Sequence, residues 1–494
     1  VARRRDAKDA KCSGLQQHAL PNRAGLSSLT GVDHGDRLAS QTGTSLRRRL
    51  AWFQMAQRSA TRVKPITSQT DVAEAYPVQH PIRRALTMFS LVFAGEAVFG
   101  LPFHVSRYFR PTYVDVFDIT QTQLGVLGSI YGFVAMFSYI LGGGLADRFS
   151  PRGLLVFSLL ATGISGLYMA TIPSFAAMCL LFAFWGVSTI LPFWSALIRA
   201  TREWGGQKQQ GVAFGVLDGG RGLLAALLAM LALFLFAQLL PASDELATPE
   251  QEREALQSTI YVYTGACAVA AALVWLFLPT PAPPQDASGR RTGQSGHLLQ
   301  VLRMPTVWLQ AVVIIAAYCT FKGIDYFSQY ASDVWAWSEV RSAGLSALST
   351  WIRPVAAIGA GILADRWTSS RVVIGCFVLT FTAYTSFVFT TPADGAVWLL
   401  WVNVILSCLG LFALRGVYFA LLEESQIPRH MTGTAVGVVS FIGYTPEIFM
   451  PLLGGWLIDR WSGGVTGYNV LFSFLGFMSI VGISATLALR RLHR

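Results

Sequence analysis

The chain has 494 residues, 53% of them hydrophobic and only 13% charged, with a net charge of +11 and a mean hydropathy of +0.47. A soluble protein carries about a quarter of its residues charged, so this composition argues against a soluble domain. The basic excess is scattered between apolar stretches, which points to anchoring at anionic lipid and away from nucleic acid as a partner.

Residues 1–84 are rich in Arg, Ser, Gln, Thr and Gly and hold no long apolar run. They lack the apolar core of a signal peptide and predict a disordered cytoplasmic tail. The chain starts with Val1, and Met55 precedes a short tail of ordinary composition. Part of residues 1–54 is therefore expected to derive from a misplaced translation start, with a transit peptide as the alternative.

From Ala85 onward come twelve apolar stretches, each roughly 20 residues and long enough to cross the hydrocarbon layer as a helix. Spans 1 to 6 are expected at 85–108, 122–145, 153–172, 174–198, 210–239 and 258–279. Spans 7 to 12 are expected at 306–330, 341–364, 371–391, 395–421, 433–458 and 468–489. This divides the chain into a six-helix bundle over 85–279, a linker over 280–305, a second bundle over 306–489 and a short tail at 490–494. The bundle ends and the linker opens in Pro279-Thr280-Pro281-Ala282-Pro283-Pro284, a solvated composition. Of the six cysteines, Cys12 lies in the tail and the others inside apolar spans, without paired spacing. Neither a disulfide framework nor a metal site is indicated, and no cofactor is expected.

Orientation follows from basic residues in short loops. Arg83, Arg84, Arg148, Arg152, Arg202, Lys208, Arg290, Arg291, Arg366, Arg371, Arg429, Arg490, Arg491 and Arg494 all fall on one side. The longest loop of the other side carries Asp244, Glu245, Glu250, Glu252 and Glu254. Both termini are expected in the cytoplasm of a bacterial cell, with the chain in the inner membrane.

One pattern occurs twice at the ends of apolar helices. Gly143-Gly144-Leu145-Ala146-Asp147-Arg148 is followed by Arg152, and Gly361-Ile362-Leu363-Ala364-Asp365-Arg366 by Arg371. A duplicated helix-end signature implies two similar halves sharing one task, which in a membrane protein is usually transport. Gly455-Trp456-Leu457-Ile458-Asp459-Arg460 is a third such string, but it falls on the opposite face.

The first two copies resemble the signature between helices 2 and 3 of the major facilitator superfamily and its echo between helices 8 and 9. The resemblance implies an all-α integral membrane protein of twelve transmembrane helices, built as two pseudo-symmetric six-helix bundles that rock about a central cavity. It further implies that Asp147 approaches the N-terminal end of helix 11, where free amides favour negative charge. Arg148 and Arg152 would complete a latch between the bundles, and Asp365, Arg366 and Arg371 would form a looser counterpart. The alternative reading is that these charges only anchor helix ends at the membrane surface.

A charge at bilayer depth is costly unless it faces a cavity or a partner, so such residues are functional candidates. They are Glu96 and Arg107 in span 1, Asp218 and Arg221 in span 5, Lys322 and Asp325 in span 7, Arg353 in span 8, Arg415 in span 10 and Glu447 in span 11. Asp218 with Arg221, and Lys322 with Asp325, are three positions apart and share helix faces, so structural ion pairs are the competing reading. Arg353 precedes Pro354 and Glu447 follows Pro446, where proline interrupts the backbone ladder and opens a helix toward a cavity. Glu96, Asp325 and Glu447 are also candidate proton carriers, since burial favours the neutral carboxyl, while a tight Arg partner opposes it.

The segment His104-Val105-Ser106-Arg107-Tyr108-Phe109, with Gln121-Thr122-Gln123-Leu124-Gly125, looks like the end of helix 1 in the organophosphate:phosphate antiporter branch. There an Arg in this place reaches the substrate phosphate, and a second Arg stands on helix 7. Here the matching position is Lys322, which keeps the charge and loses the planar fork. Span 5 has Asp218 and Arg221 where sugar-phosphate members place a His, and Glu96 and Glu447 add negative charge. The resemblance implies a secondary transporter of a small polar anion, organophosphate-like or carboxylate, with Arg107 and Lys322 as main binding residues; Arg353 and Glu447, beside their prolines, are the further binding candidates, and protons or phosphate are the expected coupling ion. A monomer is expected. Proton-coupled transport or efflux of an uncharged or cationic solute is the alternative, and a non-transporting sensor on the same fold is another. An enzyme is not expected: the glycines 215, 219, 220 and 222 lack the ending of a nucleotide loop and suit close helix packing instead.

Overall fold

The computed structural model describes residues 81–206, 210–241, 247–280, 299–390, 392, 397–421, 432–462 and 464–492. All belong to one compact unit, Ala73–Arg494. The segment 1–80, most of the linker (281–298), Arg429 and Arg494 lie outside the described residues.

Every described element is helical. Ten helical runs are long and apolar enough to cross a membrane. Gln121–Arg148, and the broken pair Phe175–Ser188 and Trp194–Gly205, complete the twelve spans. Helix starts follow local chemistry. Pro151, Pro249, Pro305 and Pro446 each stand at the beginning of a helix, where a missing amide hydrogen costs nothing. Thr120 with Gln123 and Thr248 with Gln251 form capping boxes at the starts of spans 2 and 6.

Those caps account for one difference from the expected boundaries. Span 6 begins at Pro249, so Glu250 and Glu252, read from sequence as loop, occupy its first turn and offset the helix dipole. Span 1 is already helical at Pro81, inside the stretch expected as tail, and the Arg84 guanidinium there lies 4.5 Å over the Trp204 ring. Span 12 continues to Leu492, which places Arg490 and Arg491 in its last turn.

The apolar interior falls into two cores. Spans 1 to 6 enclose one, centred on residues such as Leu101, Trp185 and Tyr263. Spans 7 to 12 enclose the other, with Phe327, Tyr384, Phe387 and Phe472 stacked together. Ala343 and Ala347 of span 8 pack into the first core and so tie the bundles together. Spans 2 and 11 press against each other as well: a side chain at Gly125 would meet the Pro451 carbonyl, and one at Gly455 would meet the Gln121 carbonyl. Glycine at these two positions is what permits backbone to approach backbone across the seam.

Candidate functional site

Spans 1 and 7 are both interrupted midway, and the interruptions hold the charges. Pro102 has no amide hydrogen, and its ring opposes the carbonyl four residues back. Span 1 accordingly passes through a π turn, Gly100–His104, before resuming as Val105–Tyr108. In span 7 the helix Pro305–Lys322 gives way to a 3₁₀ turn, Gly323–Tyr326, and then Phe327–Asp333. Arg107 follows the first break, Lys322 borders the second and Asp325 lies inside it. Two further breaks deliver the proline-linked charges: span 8 restarts at Ile352 beside Arg353, and span 11 restarts at Pro446 beside Glu447.

Four of the candidates form one cluster at the meeting of spans 1, 7 and 11. Arg107 Nε donates to Asp325 Oδ1 at 2.6 Å, so the bundles are bonded through their two central breaks. Lys322 Nζ lies 3.5 Å from Asp325 Oδ2 and 2.6 Å from Glu447 Oε1. Tyr318 OH donates to the other Glu447 oxygen at 2.6 Å. Arg110, one turn beyond Arg107, donates to the Gln121 side chain at 2.7 Å and to the Asp325 carbonyl at 3.4 Å.

Four more candidates meet at spans 1, 5 and 8. Glu96, 2% exposed, accepts contacts from three basic side chains: Arg221 at 3.2 Å, Arg353 at 3.4 Å and His104 at 3.4 Å. Arg353 also lies 3.5 Å from Asp218, whose side chain is 56% exposed. The in-helix pair Arg221–Asp218 is the longest of these contacts, at 3.9 Å. The structure thus brings eight of the nine midmembrane candidates into two clusters, leaving Arg415 outside both, and the shorter partnerships run between helices. Of the span 5 glycines, Gly222 abuts Arg353 and Gly220 abuts Val92, while Gly215 and Gly219 face open space.

Two small cavities adjoin the clusters. One is lined by His104, Arg107, Phe321, Thr350 and Arg353. The other is lined by Arg107, Arg110, Lys322, Asp325 and Glu447. Arg107 borders both.

The duplicated motif is only partly described. Gly143, Asp147 and Asp365 lie in helices, but their side chains are outside the described set; Arg148, Arg366 and Arg371 are exposed at helix ends. Arg152 is held within its own bundle, 4.2 Å over the Trp275 ring and donating to Thr280 at 3.2 Å. A carboxylate on a helix N-terminus does join the bundles, but it belongs to the third string. Asp459, at the end of span 11, accepts the Gln121 amide at 3.1 Å and the Thr122 amide at 2.6 Å. These are orphan donors of span 2, and an anion there also meets the positive end of the helix dipole.

Sequence reasoning left His104, Arg110, Tyr318 and Asp459 out of the site. His104, Arg107 and Arg110 recur at every third position, so the shared face was visible in the sequence. Nothing local marks Tyr318, and the string at Asp459 does not name its partner, because both residues bond to other helices.

The region 86–449 matches the family model described as Major Facilitator Superfamily. The inner membrane protein YqcE of Escherichia coli (strain K12) is 26% identical over 417 residues, covering 81% of this chain and 96% of that protein. A probable hexose phosphate transport protein of Chlamydia trachomatis is 24% identical over 151 residues, 30% of this chain and 32% of that one. Among solved structures, a variant of the nucleoside transporter NupG superposes with a TM-score of 0.64 at 15% identity, covering 82% of this chain and 99% of that one.

Proposed function

The chain belongs to the major facilitator superfamily, whose members are secondary transporters working by alternating access and not enzymes, and from that premise we propose that it carries a small polar anion, organophosphate-like or carboxylate, across a bacterial inner membrane. The observation that carries this reading is the convergence of Arg107 and Lys322, one from each bundle, on the single carboxylate of Asp325. Asp325 then acts as a resident stand-in for the cargo. An arriving phosphate or carboxylate offers the same oxygens, displaces Asp325 from Arg107 and accepts the guanidinium through two parallel bonds. The displaced contact is also a tie between the bundles, so cargo binding and loosening of the seam become one event. Lys322 remains held to Glu447 and positions the second cation. Arg353 would contact the cargo from the neighbouring cavity.

Within this reading both termini are cytoplasmic, the protein is monomeric, and Asp147, Arg148, Arg152, Asp365, Arg366 and Arg371 gate the cytoplasmic face. Protons or phosphate serve as the coupling ion, with Glu96, Asp218, Arg221 and Asp325 as the groups whose pairing changes. The partial likeness to a probable hexose phosphate transport protein favours an organophosphate-like cargo over a simple inorganic ion. The second reading, proton-coupled movement of an uncharged or cationic solute, draws on Asp218, the most exposed of the midmembrane carboxylates. Uptake into proteoliposomes of phosphorylated, carboxylated and uncharged solutes, measured at several external pH values, separates the two. The anion reading expects Arg107→Lys and Lys322→Ala to abolish anion uptake at unchanged membrane expression. Undiminished uptake in both variants would overturn it.

A further inference from the structure

Arg415 stands apart from both charge clusters. Each of the other midmembrane charges has an ion-pair partner, whereas Arg415 has no ion pair and no hydrogen bond among the described residues. Its contacts are aromatic: the guanidinium lies 4.2 Å over the Phe321 ring and 5.8 Å from the Tyr318 ring centre. Both rings belong to the middle of span 7, and neighbouring Gly416 abuts span 8 at Ala357, so this part of span 10 faces the bundle interior and not lipid. Arg415 is nevertheless exposed, whereas Phe321 is buried. An accessible guanidinium inside a membrane-spanning bundle borders an open, wettable space.

The same Phe321 ring has the Arg107 guanidinium 5.6 Å from its centre. One aromatic ring therefore sits between a cation already satisfied by Asp325 and one without a carboxylate. Aromatic faces hold a guanidinium in place but do not cancel its charge. An uncancelled charge is tolerable while the space around it is wet and becomes costly when the bundles close over it.

We propose that Arg415 is a specificity-determining residue that binds the anionic group of the cargo, so that the carrier closes readily only when that group supplies the missing negative charge. This rests on the anion reading above and sharpens it: the cargo carries at least one carboxylate or phosphate oxygen pair, and an uncharged analogue of the same size is rejected. Tyr318, already donating to Glu447 and facing Lys322, ties Arg415's aromatic shelf to the Lys322 cluster.

The test uses the purified full chain in proteoliposomes with hexose 6-phosphate, hexonate, inorganic phosphate and an uncharged nucleoside as probes, comparing wild type with Arg415→Gln and Arg415→Lys. Losing a charge-assisted bond is expected to raise KM for the transported anion about tenfold or more in Arg415→Gln, with partial recovery in Arg415→Lys. Because Arg415 holds no protein carboxylate, thermal stability of Arg415→Gln should match wild type, which separates this role from that of a packing or helix-end residue. An unchanged anion KM in Arg415→Gln, or a fall in melting temperature with no change in anion-to-nucleoside preference, overturns the assignment while leaving the anion reading intact. Absence of saturable anion uptake by wild type overturns both.

Discussion

The two charge clusters use the same residue types and are built differently. Around Lys322 the contacts are short, and both Glu447 oxygens have their own donors at 2.6 Å. Around Glu96 one carboxylate serves three basic groups at 3.2 to 3.4 Å, and the nearby Asp218 is largely in water. A fully satisfied cluster yields only to a competitor that reproduces its geometry, which is what a cargo site requires. A carboxylate shared among several cations behaves as a brace: it pulls spans 1, 5 and 8 together, and no single bond in it is indispensable. Burial decides how much each member matters, because a stranded buried charge is far costlier than a stranded wet one.

Substitutions can break or sharpen this contrast. Lys322→Ala has the largest expected effect: it strands Glu447, costs about 3–5 kcal/mol of stability and removes uptake. The paired change Lys322→Met with Glu447→Gln should recover most of the melting temperature in detergent without recovering uptake. If the double variant transports normally, the Lys322 cluster is a brace and the contrast collapses. Glu96→Gln comes next, at about 3 kcal/mol, since Arg221 and Arg353 lose their buried partner while Asp218 retains a hold on both. Asp459→Asn should lower stability by about 1 kcal/mol, the scale of a lost helix cap, and increase accessibility of residues near Gln121 to a thiol reagent through an introduced cysteine. Asp218→Asn should be smallest, about 0–1 kcal/mol, because its carboxylate is screened by water. A larger loss at Asp218 than at Glu96 would contradict the assignment of the brace to Glu96.

Much of this arrangement was legible in the sequence, for reasons of solvent. Lipid obliges each crossing to be a long apolar helix, so the twelve spans could be counted, and proline marked the breaks at Arg353 and Glu447 in advance. Partnerships were less legible. Spacing along one helix suggested Lys322 with Asp325 and Asp218 with Arg221, whereas the shortest bonds join Arg107 to Asp325 and Lys322 to Glu447. Which helices touch depends on packing details such as Gly125 against Pro451, and these have no local periodicity to read. The Gly-to-Asp-Arg string at Asp459 carried little weight by itself for the same reason: its partner lies at the start of span 2.

That contact has an uneven mutational signature. Asp459 is recognised by its side chain, but what it grips at Gln121 and Thr122 is peptide backbone, present whatever residue is encoded there. A scan of ordinary substitutions would therefore register Asp459, and Gln121 only through its separate side-chain bond to Arg110, while Thr122 would stay silent and be dismissed as loop. Proline is the substitution that makes it audible. At Thr122 it fits the first turn of the helix, erases the amide that Asp459 holds most closely, and should reproduce the Asp459→Asn phenotype from the opposite bundle.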